Sequence, residues 1–454
     1  MNHSLRPRLA FARTSLQLPD SLSFWLFATA LFMNPLTGVR LGAAMSYGDL
    51  LFATSAFVAL VERMVNREKI FFFPVYLLGA LLLTLSYLAN LFMPESLTAF
   101  GHLQFINACI DNHADCNFSQ IPNFRILFAS VIIFPQAFLL LRIRSLDDVR
   151  FLIYIWTAGA VYGAGFTVMY CMGWMPGHED HFWTVLHRAR GLTLHPNAMA
   201  LSCTLAFPGL LLLFLYAKSV HFKAVSVVLA LITWRAINYS GSRTALYTLA
   251  AMAFAMFILM YRDMPSRTRV RLIGLAVVAI CGYAAIKYAV GPIDEYSAFW
   301  RLENGSNVSD TIRANDQDLA LTGFFNAPIF GQGYQWLRIA HNMYLQILHS
   351  AGIVGLIGFL LVLLFPLYQV WRAESLLSEY GSRILKNCLL TAAFGVIVWG
   401  WAQPNINALN PTVPFGLLLY IGVMRREFDS RSTEGSNESS PPDATHAMIG
   451  TSSQ

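Results

Sequence analysis

The chain contains a series of long apolar runs, each close to the length that crosses a lipid bilayer as a helix. A hydrocarbon core of about 30 Å needs roughly 20 helical residues, and about twelve runs come near this length. Only 12% of the residues are charged and the mean hydropathy is +0.52, whereas a soluble domain carries about 25% charged residues. The pattern therefore predicts an all-α polytopic membrane protein with about 12 transmembrane helices. The runs lie near residues 22–38, 47–64, 70–93, 124–142, 150–172, 197–217, 220–237, 242–262, 270–289, 343–371, 384–402 and 408–424.

Lys and Arg residues recur in alternate connections between these runs. The net charge of +6 and the pI near 9.0 would suit a nucleic-acid-binding protein if the chain were soluble. In a membrane protein, however, Lys and Arg collect in cytoplasmic loops and set the topology. The pattern thus predicts that both termini are cytoplasmic, and it does not indicate a nucleic-acid partner. No small-residue cleavage site follows the first run, which predicts an uncleaved first span.

The end of the chain differs in composition from the rest. Residues 428–454 are rich in Ser, Pro and Gly and poor in large apolar side chains. Such a segment cannot bury enough apolar surface to fold. We therefore expect a membrane domain over 1–427 and a disordered cytoplasmic tail over 428–454.

Cys109 and Cys116 lie in the first long polar segment that this topology places outside, around residues 94–123. In an oxidising compartment the pair can close a small disulfide loop. Two free thiols, or a metal pair with His102 or His113, are the alternatives that the residues leave open.

The second outside segment, about 173–196, holds several histidines and Arg190. Its histidines lack the H-x-x-x-H or Cys/His spacing of familiar metal sites, so no metal site is predicted. Arg190 precedes Gly191 and the turn that opens the next run at Pro196. An arginine at this place either is solvated or binds an anionic lipid headgroup at the membrane surface.

Arg243 follows the small residues Ser240, Gly241 and Ser242 in a short outside connection, where we expect it to begin a helix. Open backbone N–H groups at a helix start and a guanidinium fork both suit phosphate oxygens. The alternative is that the apolar stem of Arg243 lies along a membrane helix while its guanidinium reaches the water at the membrane surface. The residues alone do not decide between the two interpretations.

The third outside segment, about 290–340, leads to His341 at the edge of a long apolar run. Its second half predicts a helix carrying Arg313, followed by a turn that contains Gly331 and Gly333. An imidazole placed where a polar loop meets a membrane helix suits proton transfer. The alternative is a polar helix-start residue that contacts water.

The polar segments contain short motifs whose order resembles a known family. The motifs are RGLTLHPN (190–197), SGSRTA (240–245), SDTIR (309–313), NAPIFGQGY (326–334) and HNMYLQILHSAGIVGLIG (341–358). With them the chain resembles the O-antigen ligase superfamily, which includes O-antigen ligases and Wzy-type polysaccharide polymerases. The similarity covers roughly residues 190–360 and includes the outside loop 290–341.

This resemblance implies an activity, a location and a fold. Members transfer a glycan from undecaprenyl diphosphate, with inversion, at the periplasmic face of the bacterial inner membrane. The acceptor is lipid A–core in a ligase, or another lipid-linked growing glycan in a polymerase. The resemblance further implies a GT-C-like arrangement of helices, a metal-independent reaction and no cofactor.

The resemblance also assigns roles to the residues that were ambiguous by themselves. Arg190 and Arg243 match family positions for the donor diphosphate, Arg313 matches a further loop arginine, and His341 matches the general base. The chemistry agrees, because a departing diphosphate needs positive charge and the acceptor hydroxyl needs a base. The rival hypothesis is a transporter of lipid-linked glycans, which would place ionisable residues near the middle of the membrane.

Overall fold

The protein is a bundle of apolar helices in a computed structural model that describes most of the chain. The described residues are 21–41, 45–68, 70, 72–92, 120–141, 143, 145–175, 188–261, 297–304, 307–334, 340–372, 380–403 and 410–424. Cys109 and Cys116, the predicted span at 270–289 and the predicted tail at 428–454 lie outside them.

Nearly all of the regular structure in the described residues is helical. The exception is a short antiparallel pair, β1 (Arg40–Leu41) and β2 (Met45–Ser46), in which Arg40 lies opposite Ser46. The helices are α1 (Leu22–Met33), α2 (Tyr47–Val65), α3 (Pro74–Phe92), α4 (Gln120–Phe128), α5 (Phe134–Ala137), α6 (Leu146–Cys171), α7 (Pro196–Tyr216), α8 (Val220–Ser240), α9 (Arg243–Tyr261), α10 (Ala298–Asn304), α11 (Asn307–Asn326), α12 (Met343–Arg372), α13 (Tyr380–Gly400) and α14 (Asn410–Met424). A π-helical turn, Ala129–Ile133, joins α4 to α5.

Among the residues that the structure describes, eight helical segments are long and apolar enough to cross a membrane. They are Pro74–Phe92, Asn123–Leu140, Leu146–Cys171, Pro196–Tyr216, Val220–Ser240, Arg243–Tyr261, Met343–Arg372 and Ser382–Gly400. The first and last predicted runs correspond to the shorter apolar helices α1 and α14, and the second corresponds to α2. The class of multi-pass membrane protein is therefore confirmed, while the count of about twelve spans and the GT-C-like arrangement stay predictions.

Small residues bring the helices into close contact, as is usual where lipid supplies no hydrophobic driving force between them. Gly79 of α3 faces Gly358 of α12 so closely that a Cβ on Gly79 would lie 3.0 Å from the Gly358 carbonyl oxygen. Gly159 of α6 similarly meets the backbone of Phe32 in α1. These contacts hold α3 against α12 and α1 against α6.

Helix α12 is broken at Gly352, where φ is +64°. The loop 327–334 fills the break and exchanges backbone hydrogen bonds with it, so that the polar groups released by the break find partners. The bonds run from the N–H of Gln332 to the carbonyl of His349 (2.7 Å), from Gly333 to Ser350 (3.0 Å), from Ile353 to Pro328 (2.9 Å) and from Val354 to Ile329 (3.2 Å).

Two polar side chains of α3 complete this junction. The Ser86 hydroxyl lies within hydrogen-bond distance of the carbonyls of Phe330 and Ala351, at 3.0 and 2.8 Å. The Asn90 amide donates to the Phe330 carbonyl at 2.7 Å. Irregular backbone inside a membrane domain requires such internal partners, and here they anchor the chain that leads to His341.

Candidate functional site

The segments that carry the predicted site residues meet at one end of the bundle. They are the loop before α7, the turn between α8 and α9, the pair α10 and α11, and the residues before α12. Helix α7 begins at Pro196, α9 begins at Arg243, and α12 begins at Met343, two residues after His341. These starts confirm the helix boundaries predicted from the sequence.

The turn between α8 and α9 is held by two buried arginines. Gly241 ends α8 in the left-handed region with φ +63°, which leaves the last carbonyls of that helix without helical partners. Arg188 Nε donates to the Ser240 carbonyl and Arg301 Nη1 donates to the Gly241 carbonyl, both at 2.7 Å. Because each arginine is only 7% exposed, their main role at this turn is to fix the backbone that presents Arg243.

A chain of buried amides extends from Arg188 into the bundle. Arg188 Nη2 donates to Asn197 Oδ1 at 2.6 Å, and Asn197 Nδ2 donates to Gln403 Oε1 at 3.0 Å. Gln403 Nε2 reaches Thr244 Oγ1 at 3.5 Å. This network joins the starts of α7 and α9 to the end of α13, and it sets the orientation of the Arg188 guanidinium.

Arg243 and Asp310 form an ion pair between the start of α9 and the first turn of α11. Arg243 Nη1 donates to Asp310 Oδ2 at 3.0 Å, and Nη2 donates to Oδ1. Such a two-point pair fixes the plane of the guanidinium. The pair also ties α11, which carries Arg313 and Asp316, to the same turn that Arg188 and Arg301 hold.

The arginines are close enough to influence one another's ionisation. Desolvation, with the charges of Arg301, Arg313 and Arg243, lowers the pKa of Arg188 to about 9. The pKa values of Arg301 and Arg313 are also lowered, first by desolvation and then by neighbouring arginines, although Asp310 opposes the shift in both. These four arginines, the arginine cluster (Arg188, Arg243, Arg301 and Arg313), outnumber the neighbouring carboxylates Asp310 and Asp316 and make the site electropositive.

His341 lies at the edge of the arginine cluster. Its Nε2 is 3.5 Å from Asp316 Oδ2, and its Nδ1 is buried without a hydrogen-bond partner among the described residues. The adjacent Asn342 caps α12, because its Oδ1 accepts from the N–H groups of Tyr344 and Leu345 at 3.0 and 3.1 Å. The helix start is therefore satisfied by Asn342, which leaves the imidazole available for other chemistry.

His341 is neutral at neutral pH. Desolvation, with a further contribution from the charge of Arg313, lowers its pKa below the ordinary value of 6.5. Arg313 carries a second unsatisfied group, because its Nε is buried and lacks a hydrogen-bond partner among the described residues. A neutral imidazole beside a guanidinium with an unused donor suits a reaction that moves a proton near an anion.

His195 is a second neutral histidine near the cluster, but its ring serves the fold. Its Nδ1 accepts from the backbone N–H of Asn197 at 3.1 Å and so caps α7. Desolvation, then the charges of Arg188, His341 and Arg313, lower the pKa of His195 to about 4. The ring nitrogen that would act as a base is thus already occupied as an acceptor.

A small apolar cavity of about 30 Å³ lies among the helices and reaches the start of α12. Met343, two residues beyond His341, is part of its wall, and the rest comes from α3, the π-helical turn, α5, α12, α13 and α14. The cavity is large enough for only one or two water-sized groups, so it is not itself a binding site for a ligand.

Three of the predicted site residues, Arg243, Arg313 and His341, lie near one another in the structure. Arg243 pairs with Asp310 on α11, the helix that carries Arg313. The charge of Arg243 lowers the pKa of Arg313, and the charge of Arg313 lowers the pKa of His341. Arg190 lies in the bordering loop, two residues from Arg188, where its carbonyl accepts from the Thr193 N–H at 3.0 Å. The roles assigned to all of these residues remain predictions.

Sequence reasoning missed several members of the site. Asn197 belongs to the HPN motif and Arg188 directly precedes Ala189-Arg190, so both were within reach of the sequence. Arg301, Asp310, Asp316 and Gln403 lie in segments where no local pattern distinguishes them from solvated polar residues.

Comparison with known proteins adds no relative: no protein-family model matches the chain, and no curated protein matches it. In the part of the chain that the structure describes, no group of three or more His, Cys, Asp or Glu side chains is arranged to hold a metal ion.

Proposed function

We propose that this protein is a membrane glycosyltransferase of the O-antigen ligase type. It moves a glycan from undecaprenyl diphosphate to an acceptor hydroxyl, with inversion at the sugar carbon. The observation that carries the proposal is the arginine cluster with a neutral histidine, gathered at one end of an apolar helix bundle.

The arginine cluster suits the departing diphosphate. Negative charge grows on the leaving group as the glycosidic bond to phosphate breaks, and fixed positive charges stabilise it most in a desolvated site. Asp310 pairs with the Nη1 and Nη2 edge of the Arg243 guanidinium and fixes its plane, and the N–H groups on another edge remain to meet phosphate oxygens. Arg313 adds the buried Nε that lacks a partner among the described residues, and Arg190 borders the same site.

His341 suits the acceptor side of the reaction. A general base must be unprotonated at working pH and must lie within reach of the reacting hydroxyl. The lowered pKa keeps the imidazole neutral, and Nδ1 is the nitrogen without a partner among the described residues. His341 accordingly takes the acceptor proton while the arginines hold the leaving diphosphate.

A lipid-linked donor fits the surroundings of this site. Apolar helices long enough to cross a membrane lead away from the residues that carry the proposed base. The hydrocarbon of a polyprenyl carrier therefore lies in the surrounding lipid against these helices, while its diphosphate meets the arginines. On this proposal the site faces the periplasm, both termini are cytoplasmic, and the protein lies in the bacterial inner membrane.

Two acceptors are compatible with the same chemistry. In the ligase the acceptor is lipid A–core, and in the alternative, a Wzy-type polymerase, it is another lipid-linked repeat unit. A transporter is the third candidate, because transporters use broken helices near the substrate path. Here the break in α12 is filled by the loop 327–334 and lined by Ser86 and Asn90, and the charges collect at the helix ends instead.

The test is the glycan profile of a strain that lacks the gene, complemented with the wild-type protein or with His341→Ala. Polymer stranded on undecaprenyl diphosphate beside bare lipid A–core identifies a ligase, and single repeat units without long chains identify a polymerase. His341→Ala at normal protein level should reproduce the deletion profile. Unchanged surface glycans in the deletion strain would contradict the proposal and favour transport of another substrate.

A further inference from the structure

Asp316 is a carboxylate that lies beside the proposed base. It lies on α11, one turn beyond Arg313, and its Oδ2 is 3.5 Å from His341 Nε2. Both side chains are partly desolvated, with exposed fractions of 27% for Asp316 and 39% for His341. A carboxylate beside one imidazole nitrogen sets the tautomer and the orientation of the ring.

The two nitrogens of His341 have different surroundings. Nε2 faces Asp316, whereas Nδ1 is buried and has no partner among the described residues. If Nε2 carries the hydrogen, it donates toward the carboxylate, and the lone pair then belongs to Nδ1. The separation of 3.5 Å is longer than a mature hydrogen bond, as is common before substrate binds.

We propose that Asp316 is the positioning residue of this site: its carboxylate holds the Nε2–H of His341 and so directs Nδ1 toward the acceptor hydroxyl. This inference rests on the proposed glycosyl transfer. In the step, the hydroxyl proton moves to Nδ1, the hydroxyl oxygen bonds to the sugar carbon, and the bond from that carbon to the phosphate oxygen breaks. The diphosphate leaves with the electron pair, and the resulting imidazolium is stabilised by the Asp316 carboxylate.

Two other ionisable groups lie near His341. Arg313, on the same helix as Asp316, lowers the pKa of His341 and so opposes the imidazolium, whereas His195 at the start of α7 has a pKa of about 4 and is neutral where the base works. Asp316 supplies the compensating negative charge. Its own pKa is raised by desolvation to about 6, so it is ionised at neutral pH, where the proposed base works.

Asp318 provides a matched control on the same helix. It lies two residues beyond Asp316, so it points to a different side of α11, and it is exposed. Asp316→Asn and Asp318→Asn remove the same charge from nearly the same place in the sequence. Only the first should affect His341.

The first measurement does not depend on activity. Purified full-length protein is treated with diethyl pyrocarbonate over a range of pH, and carbethoxylation of His341 is followed by mass spectrometry. Because only the neutral ring reacts, the profile reports the pKa of His341. Asp316→Asn should lower this pKa, and Asp318→Asn should leave it unchanged; an unchanged pKa in Asp316→Asn would overturn the inference.

The second measurement is transfer in membranes, with lipid-linked glycan extracted from the deletion strain as donor. Loss of the carboxylate that orients a metal-bound histidine typically costs about 10- to 100-fold in metal affinity or activity, and we expect an effect of similar size for a carboxylate that orients a general base. We expect such a loss in Asp316→Asn with unchanged donor KM, and partial recovery in Asp316→Glu. Full activity of Asp316→Asn would overturn the positioning role alone, whereas full activity of His341→Ala would overturn the proposed function itself.

Discussion

The guanidinium of Arg243 and the carboxylate of Asp310 face each other in a two-point ion pair, although 67 residues separate them in the chain. The pair joins the start of α9 to the first turn of α11 and places Arg313 near Arg243. An arginine that merely reached the membrane surface would not need a partner in this geometry. The pairing therefore favours an oriented fork over simple interfacial solvation of Arg243.

Arg243→Lys should impair glycan transfer while the charge is kept. A lysine ammonium cannot form the planar two-point contact with Asp310 or with phosphate. A hydrogen bond to a charged group contributes roughly 1.5–3 kcal/mol, so we expect a loss of about 10-fold or more in the rate of donor use. Transfer in membranes with extracted lipid-linked glycan measures this loss.

Arg235→Lys serves as the matched control for that substitution. Arg235 lies on α8 with its guanidinium 4.4 Å from the centre of the Tyr239 ring, a contact that an ammonium can also make. The Arg235→Lys variant should transfer glycan at nearly the wild-type rate. Equal rates for Arg243→Lys and the wild type would instead indicate that Arg243 contributes only its charge.

Gly352→Ala should destabilise the junction between α12 and the loop 327–334. Gly352 has φ +64°, and a Cβ there would lie 2.3 Å from the Ile329 carbonyl oxygen. With ψ at −166°, this combination of positive φ and extended ψ is almost restricted to glycine and costs another residue about 1–3 kcal/mol, and the clash adds to this cost. We expect a clearly lower apparent melting temperature in detergent.

The control for this prediction is Gly165→Ala in α6. A Cβ on Gly165 would meet nothing within 4 Å, and alanine favours a helix over glycine by roughly 0.5–1 kcal/mol. This variant should be as stable as the wild type or slightly more so. A melting temperature for Gly352→Ala equal to that of Gly165→Ala would show that the break in α12 has no such backbone requirement.

Arg313→Gln should move the acidic limb of the pH–rate profile to higher pH. The positive charge of Arg313 disfavours the imidazolium and helps to lower the pKa of His341. Without it the pKa rises toward its ordinary value of 6.5, and the base becomes protonated at a higher pH than in the wild type. Transfer rates measured across about pH 4.5–8.5, a range of roughly two units on either side of an ordinary histidine pKa, test the shift.

Arg372→Gln is the corresponding control, because Arg372 lies at the far end of α12 and its guanidinium contacts Tyr368. This variant should keep the acidic limb of the wild type. If the acidic limb of the pH–rate profile is the same for Arg313→Gln and the wild type, the titrating base does not lie next to Arg313.

His195→Asn should reduce the pH dependence of stability while preserving the helix cap. In the folded protein the pKa of His195 is about 4, below the ordinary value of 6.5. As pH falls from 6.5 to 4, the unfolded chain therefore binds a proton that the folded protein does not bind, and stability falls. Asparagine does not titrate and is a good N-cap.

Apparent melting temperatures at several pH values measure this effect. Wild type and His195→Asn should agree above pH 7 and diverge below about 6.5, where only the wild type loses the contribution from this histidine. His221→Asn, a change at an exposed histidine in the first turn of α8, should follow the wild type. Parallel curves for all three proteins would contradict the burial of a neutral His195.

Several local features of the candidate site were predictable. Pro196, Arg243 and the residues after His341 begin helices as expected, and Arg313 lies on a helix as expected. These predictions succeeded because helix boundaries and apolar runs depend on neighbouring residues. The short connection at Ser240, Gly241 and Ser242 was predictable for the same reason, because a left-handed helix end such as that at Gly241 strongly favours glycine.

The partners of the site residues were not predictable. Asp316 and Asp318 are nearly equivalent in the sequence, yet only Asp316 lies beside His341. Arg301 has no distinguishing motif, yet it donates to the carbonyl of Gly241, 60 residues away. The break in α12 was also missed, because Gly352 in an apolar run is compatible with a continuous helix until the loop 327–334 occupies the gap.

The sequence by itself determined that this chain is a multi-pass helical membrane protein and which polar segments interrupt its spans, because bilayer thickness sets the length of each apolar run. Only the tertiary structure decided which charges meet. Arg188, Arg243, Arg301 and Arg313 come from separate segments, and they share one site because packing of α7 to α12 brings those segments together. Electrostatic interaction depends on distance and desolvation in space, and neither quantity is written in the local sequence.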